Sequence, residues 1–148
     1  MSLLHLASHD DSDRLMPLVT AFHAEMGYDT DAAHQASAVL PLLEGSPHGA
    51  IWLVGPRRAP VGYVVISFGW SLQNGGLDGT VAEIYIRPAV RGRGMGFEAL
   101  NGIAKALGGS GLRALHLEVA RGDARAQRFY ARARFSPREE SLFMSRLL

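Results

Sequence analysis

The segment that most restricts this chain is Arg91-Gly92-Arg93-Gly94-Met95-Gly96, set between a β-forming stretch and an amphipathic helix. Thr80 to Arg87 reads as a strand closed by Pro88. From Gly94 onward, Phe97, Leu100, Ile103, Ala104 and Leu107 recur at helical spacing until Gly108 and Gly109 end the stripe. Glycines in such a turn let the backbone approach a bulky ligand without a Cβ in the way. The first N–H groups of a helix lack intrahelical acceptors and carry partial positive charge. The turn is therefore a phosphate cradle in the making, and Arg91 and Arg93 add fixed charge for phosphate oxygens. Two familiar phosphate binders are excluded. Gly92-x-Gly94-x-x-Phe97 lacks the third glycine of a dinucleotide fingerprint, and no Lys followed by Ser or Thr completes a P-loop. The alternative is an ordinary glycine-rich connection with solvated arginines.

At 148 residues the chain has the length of one domain, taken as 1–148. It contains no cysteine, which excludes a disulfide scaffold, a thiolate zinc site and a cysteine nucleophile and suits a cytoplasmic setting. No apolar run reaches membrane-spanning length and the start resembles no signal peptide, so no membrane partner is expected. His5, His9, His23, His34, His48 and His116 show no metal-ligand spacing, and no metal is predicted. Charge is uneven: residues 1–80 carry three arginines and eight acids, whereas 81–148 carry eleven arginines, one lysine and six acids. An acidic half suits a cationic ligand and a basic half an anionic one, although arginine-rich usage alone would give the same count.

Along the chain, Ser2 to Ala7 predicts a short strand, and Asp10, Asp11 and Asp13 offer first-turn acids for a helix carrying Leu15, Leu18, Val19 and Phe22 and stopping near Gly27. Asp29 to Asp31 can cap a second helix through Ala32, Ala36, Val39 and Leu40. Gly49 to Val54 and Val61 to Trp70 predict a hairpin, followed by a loop up to Gly79. Leu112 to Ala120 predicts a strand, Asp123 caps a last helix with Ala126, Phe129, Tyr130 and Ala133 inward, and Phe135 with Leu142 to Leu147 predicts two final strands. The order implies a mixed α/β (α+β) fold, one sheet covered by helices.

Two motifs at a set separation resemble those of the GNAT family of N-acetyltransferases. Its pyrophosphate loop, Q/R-x-x-G-x-G/A, is matched by Arg91-x-x-Gly94-x-Gly96 after Ile84-Tyr85-Ile86-Arg87-Pro88. Its later N-x-x-A-x-x-F/L-Y, then G-F, is similar to Asp123-x-x-Ala126-x-x-Phe129-Tyr130 followed by Arg134-Phe135. Asp123 stands for the usual Asn and Arg134 for the usual Gly, which touches a cofactor-facing hydrogen bond and the turn into the last hairpin. The resemblance is strongest over residues 80–135. It implies a mostly antiparallel central sheet of six to seven strands with about four helices on its two faces, acetyl-CoA as cofactor, and a homodimer. It also implies that Ile84 and Ile86 bond the pantetheine arm through their backbone, that Arg91, Gly92, Arg93, Gly94, Met95 and Gly96 hold the pyrophosphate, and that Asp123 and Ala126 lie at the cofactor. The strand at 80–87 would splay from that at 113–119 to admit it.

The chemistry then needs a base, because an alkylamine with a pKa near 10 is protonated at neutral pH and must lose a proton before attacking a thioester. Glu83, in an otherwise apolar strand and sharing a face with Val81 and Tyr85, is either that base or part of a solvated face. Glu118 is the second carboxylate to consider, as base, acceptor contact or structural ion-pair partner. Tyr130 occupies the family's tyrosine position and is the candidate acid for the departing thiolate, with core packing as its alternative role. His23, Glu25 and Tyr28 at a helix end suit an ammonium ion through charge and cation–π contact, and Trp70, Ser71 and Gln73 lie where a loop could close over it. The expected activity is acetyl transfer to a small-molecule amine. Transfer to a protein amine, acyl-CoA sensing without turnover, and nucleic-acid binding through Arg121, Arg125, Arg128 and Arg132 are the competing readings, although no nucleic-acid partner is expected.

Overall fold

The alternating apolar residues in the middle of the chain build a five-stranded sheet in the computed structural model, which describes residues 3–148. Its strands are β1 (Leu4–Leu6), β2 (Gly49–Val54), β3 (Gly62–Ser71), β4 (Gly76–Ile86) and β5 (Ala114–His116), in the order β1-β2-β3-β4-β5. The first four pair antiparallel. β5 joins β4 in parallel, at the far end of a connection that contains α3 (Met95–Gly109).

α1 (Ser12–Met26) and α2 (Ala32–Leu43) supply one layer. Leu15, Leu18, Val19, Phe22, Val39 and Leu43 pack with Ile51, Leu53, Tyr63 and Tyr85 in one buried cluster. Because side chains alternate along a strand, Val64 and Ile66 point away from Tyr63 and Val65, and α3 brings Ala99, Leu100 and Ile103 as its own buried stripe. Asp31 caps α2 as predicted, its Oδ1 accepting from the His34 N–H at 2.8 Å. Asp11, 1% exposed, fastens the start of α1 to the turn after β2: its carboxylate accepts from the Ser8 N–H, from Arg14, and from Arg57 Nη2 and Nε at 3.0 and 3.2 Å. The Arg57 hydrogen bonds hold its pKa well below the usual carboxylate range, against the opposing effect of burial.

The β3–β4 ladder slips by one residue. Val65 pairs with Glu83 and Ile66 with Val81, so Ala82 is the extra residue of a β-bulge. This corrects the expectation that Glu83 and Val81 share a face. A one-residue insertion reverses the alternation, so Val81 follows Ile66 while Glu83 joins Val65, Tyr63 and Tyr85 on the α1–α2 side.

Other differences concern strand extent. Five strands, rather than six to seven, are present among the described residues. β5 covers only Ala114–His116 of the expected Leu112–Ala120, and no strand forms at Phe135 or Leu142–Leu147. β3 and β4 run through most of the expected 70–79 loop, leaving Leu72 to Gly75 as the turn. Of the expected first strand, Leu4–Leu6 is observed and Ser2 lies outside the described residues.

Contacts divide the chain after Glu118. In the second unit, Val119–Leu148, α4 (Ala124–Arg132) is capped by Asp123, whose Oδ1 accepts from the Ala126 N–H at 3.0 Å. Tyr130 stacks edge-on with Phe129 and Phe135, at 5.1 and 6.0 Å between ring centres.

Candidate active site

The glycine turn has the form its sequence requires. Gly92 and Gly94 both adopt φ +81°, a conformation L side chains rarely take, and a Cβ on either would meet nothing within 4 Å. Glycine is thus demanded by backbone conformation, while the space above it stays open. Gly94 is the N-cap of α3, and Glu98 donates to its carbonyl at 3.0 Å. The amides of Met95 and Gly96 precede that first helical bond, where positive potential is highest.

β4 reaches this turn after parting from β5. Their ladder covers only Asp78–Thr80 against Ala114–His116, yet β4 continues to Ile86. The stretch holding Ile84 and Ile86 therefore has a sheet partner on its β3 side alone among the described residues. An unpaired parallel edge leading to an open helix N-terminus can take up an extended ligand with an anionic end.

Glu83 lies on this same stretch. Its Oε1 accepts from the Tyr63 hydroxyl at 2.7 Å and its Oε2 lies 2.8 Å from His23 Nε2. The His23 and Glu83 side chains are 13% and 22% exposed, so the pair is sheltered but reachable. The opposite ring nitrogen of His23 lies 2.7 Å from Thr30 Oγ1, and Tyr28 packs edge-on to the ring at 5.1 Å. Burial first, and then the Glu83 charge, drive the Tyr63 pKa far up, which keeps its proton in place to donate.

A family model, Acetyltransferase (GNAT) family, matches residues 14–135. The chain belongs to the GNAT acetyltransferase family. An integron cassette protein from the mobile metagenome of Cole Harbour Salt Marsh is 31% identical, with a TM-score of 0.85 over 99% of this chain and 91% of its own. A protein of Arthrobacter sp. FB24, described as an acetyltransferase, is 28% identical, with a TM-score of 0.82 over 100% and 97%. An aminoglycoside acetyltransferase, meta-AAC0020, from an uncultured soil metagenomic sample shares the fold alone, at 13% identity and a TM-score of 0.79 over 98% and 95%. No curated protein matches the sequence.

With the GNAT fold in place, the sequence-predicted residues separate into groups. His23 and Glu83 come together directly, with Tyr28 beside them. Arg91 turns toward α1: it donates to the Ile86 carbonyl and to Glu25, each at 2.7 Å, and lies 5.6 Å over the Tyr85 ring. It thus bridges a predicted acceptor residue and a predicted cofactor residue. Arg93 is exposed at the turn. Trp70, 73% exposed, pairs with Leu77 five residues along β3 from Val65, which sets it about 16 Å from the Glu83 register. Glu118 lies two residues past β5 and is exposed. In the second unit Asp123 and Ala126 are bound to each other through the helix cap. Burial first, and then the charge of Asp123, raise the Tyr130 pKa. Arg134 takes φ 72°, the left-handed conformation for which the family pattern uses glycine, and Phe135 donates to the Tyr130 carbonyl at 3.0 Å to close the helix.

Sequence reasoning missed Tyr63, Thr30, Gln35 and Thr20. Gln35 had a signal: it lies four residues before Val39 on the inward face of α2, where a buried amide demands partners. Tyr63 had none beyond its strand, since only the bulge at Ala82 brings Glu83 to its side.

Proposed function

We propose that this chain is an acetyl-CoA-dependent N-acetyltransferase that moves an acetyl group to a primary amine of a small molecule by direct attack in a ternary complex. The observation that carries the proposal is the open cradle of Gly92 and Gly94 at the start of α3, next to a β4 edge that has left β5. No protein atom fills the space beside either glycine, which leaves the N–H groups at the start of α3 open to a diphosphate. Amides near Met95 and Gly96 would hold the phosphates, with Arg91 and Arg93 adding charge, and the backbone of Ile84 and Ile86 would align the pantetheine arm as a strand partner. When bound, acetyl-CoA supplies an acetyl group activated as a thioester.

The chain's own residues do the rest. Glu83, fixed by Tyr63 and His23, accepts the proton that the ammonium must lose. Tyr28 and Glu25 offer an aromatic face and a negative charge to the cation. Tyr130, in the second unit, keeps its proton at neutral pH because burial raises its pKa, and its family position makes it the candidate donor to the departing sulfur. Asp123 and Ala126 act as the cap that sets α4. A small amine is favoured over a protein amine because the base is sheltered, with Glu83 only 22% exposed.

The test is thiol release from acetyl-CoA against polyamines, amino acids, aminoglycosides and peptides. Turnover with a small amine, lost in Glu83→Gln with coenzyme A affinity kept, is the expected result. Turnover confined to peptides would overturn the substrate class, and an unimpaired Glu83→Gln would remove the base.

A further inference from the structure

Behind Glu83 runs a chain of hydrogen bonds that ends away from the proposed chemistry. Thr20 Oγ1 lies 2.7 Å from Gln35 Oε1, Gln35 Nε2 lies 3.1 Å from Thr30 Oγ1 and 3.3 Å from the Thr30 carbonyl, and Thr30 Oγ1 lies 2.7 Å from His23 Nδ1. Gln35 is 4% exposed, so its amide must be satisfied inside the protein.

The two ends of the chain set its directions. The Thr30 carbonyl can only accept, which turns the NH2 end of Gln35 toward Thr30 and its oxygen toward Thr20. Thr30 Oγ1 then receives a hydrogen from Gln35 and keeps its own proton to donate to His23 Nδ1 if that nitrogen accepts. At the other end the Glu83 carboxylate can only accept, so Nε2 of a neutral His23 carries the hydrogen across 2.8 Å to Oε2, and Nδ1 is left to accept from Thr30. The opposite tautomer would set a ring lone pair against a carboxylate oxygen.

We infer that Thr30 and Gln35 are positioning residues: they fix His23 as an Nε2–H donor, which holds the Glu83 carboxylate between His23 and Tyr63 with its remaining lone pairs free for the amine. The inference rests on the reading of Glu83 as the base. It gives His23 a task other than contacting the acceptor, and it gives the polar residues of α2 and the α1–α2 turn a share in turnover by way of His23.

The experiment compares Thr30→Val, which keeps the shape and removes the hydroxyl, with Thr30→Ser, which keeps the hydroxyl. Loss of one hydrogen bond to a group that orients a charge predicts a fall in kcat of about tenfold for the valine variant. The amine KM and coenzyme A affinity should stay within about twofold, and serine should restore kcat. Long-range proton–nitrogen correlation spectra read the His23 tautomer without any turnover. The Nε2–H form is expected in the wild type and in Thr30→Ser, and a mixture of tautomers in Thr30→Val. A wild-type His23 carrying its proton on Nδ1 overturns the inference even if the valine variant fails to fold. So does a valine variant as active as the wild type, or a serine variant that does not rescue. Failure of the base reading looks different: Glu83→Gln would then turn over normally while the tautomer stayed as inferred.

Discussion

Replacing Gly94 by alanine separates the two reasons for a glycine at the start of α3. The folded chain holds this residue at φ +81° with nothing within 4 Å of a would-be Cβ. No atom has to move, so the whole cost to stability is conformational, about 1–2 kcal/mol for an L residue in the left-handed region. For a domain of this size that lowers Tm by roughly 2–8 °C. Binding should suffer more, because the Cβ projects into the space proposed for the diphosphate. Loss of even one hydrogen bond to a charged group, about 1.5–3 kcal/mol, weakens affinity roughly 10- to 150-fold. Calorimetric titration with coenzyme A, alongside thermal melts, measures both. Gly108→Ala is the internal control: it lies in the same helix at an ordinary φ with equally open space, so it should keep full affinity and melt at the same temperature or higher. A Gly94→Ala protein with lowered Tm and unchanged coenzyme A affinity would refute the cradle.

Asp11→Asn should destabilise the fold by about 1.5–3 kcal/mol in denaturant titrations, because a 1% exposed carboxylate loses its bonds to Arg57 and Arg14. The folded-state pKa of Asp11 is depressed below its ordinary 3.8, so its stabilisation is complete above about pH 4 to 5 and is lost as pH falls further; the Asn variant should lack that part of the acid sensitivity. Arg134→Gly should stabilise by about 0.5–1 kcal/mol, the relief of a left-handed arginine less the added unfolded-state entropy of glycine, read as a rise in Tm. Glu25→Gln should leave stability nearly unchanged, since the pair with Arg91 is 41% and 43% exposed, and should tighten coenzyme A binding severalfold in calorimetry by freeing Arg91 for phosphate.

The contrast between what the residues disclosed and what they concealed follows from the range of the interactions involved. The turn from Arg91 to Gly96 was legible because its signal is local: a strand, paired glycines, then an apolar stripe at helical spacing. The caps at Asp31 and Asp123 were legible for the same reason, each carboxylate bonding an amide three residues on. The bulge was not. Alternation along Val81 to Tyr85 places Glu83 with Val81, and only pairing with β3 reveals that Ala82 is the extra residue. The union of His23 with Glu83 spans sixty positions, and nothing near either residue announces it. Leu142 to Leu147 shows the opposite failure: the run is β-forming by composition yet no strand forms there, since strand propensity expresses packing against neighbours more than an intrinsic backbone preference.

The central claim is that the amides at the front of α3 and the free edge of β4 receive coenzyme A. Nitrogen-15-labelled protein titrated with coenzyme A measures this directly, amide by amide. Saturable shifts concentrated at residues 84–86 and 92–97, with β2 residues 49–54 unmoved, are the predicted result. An unchanged spectrum, or shifts gathered at β2 and away from the glycine turn, would contradict the account.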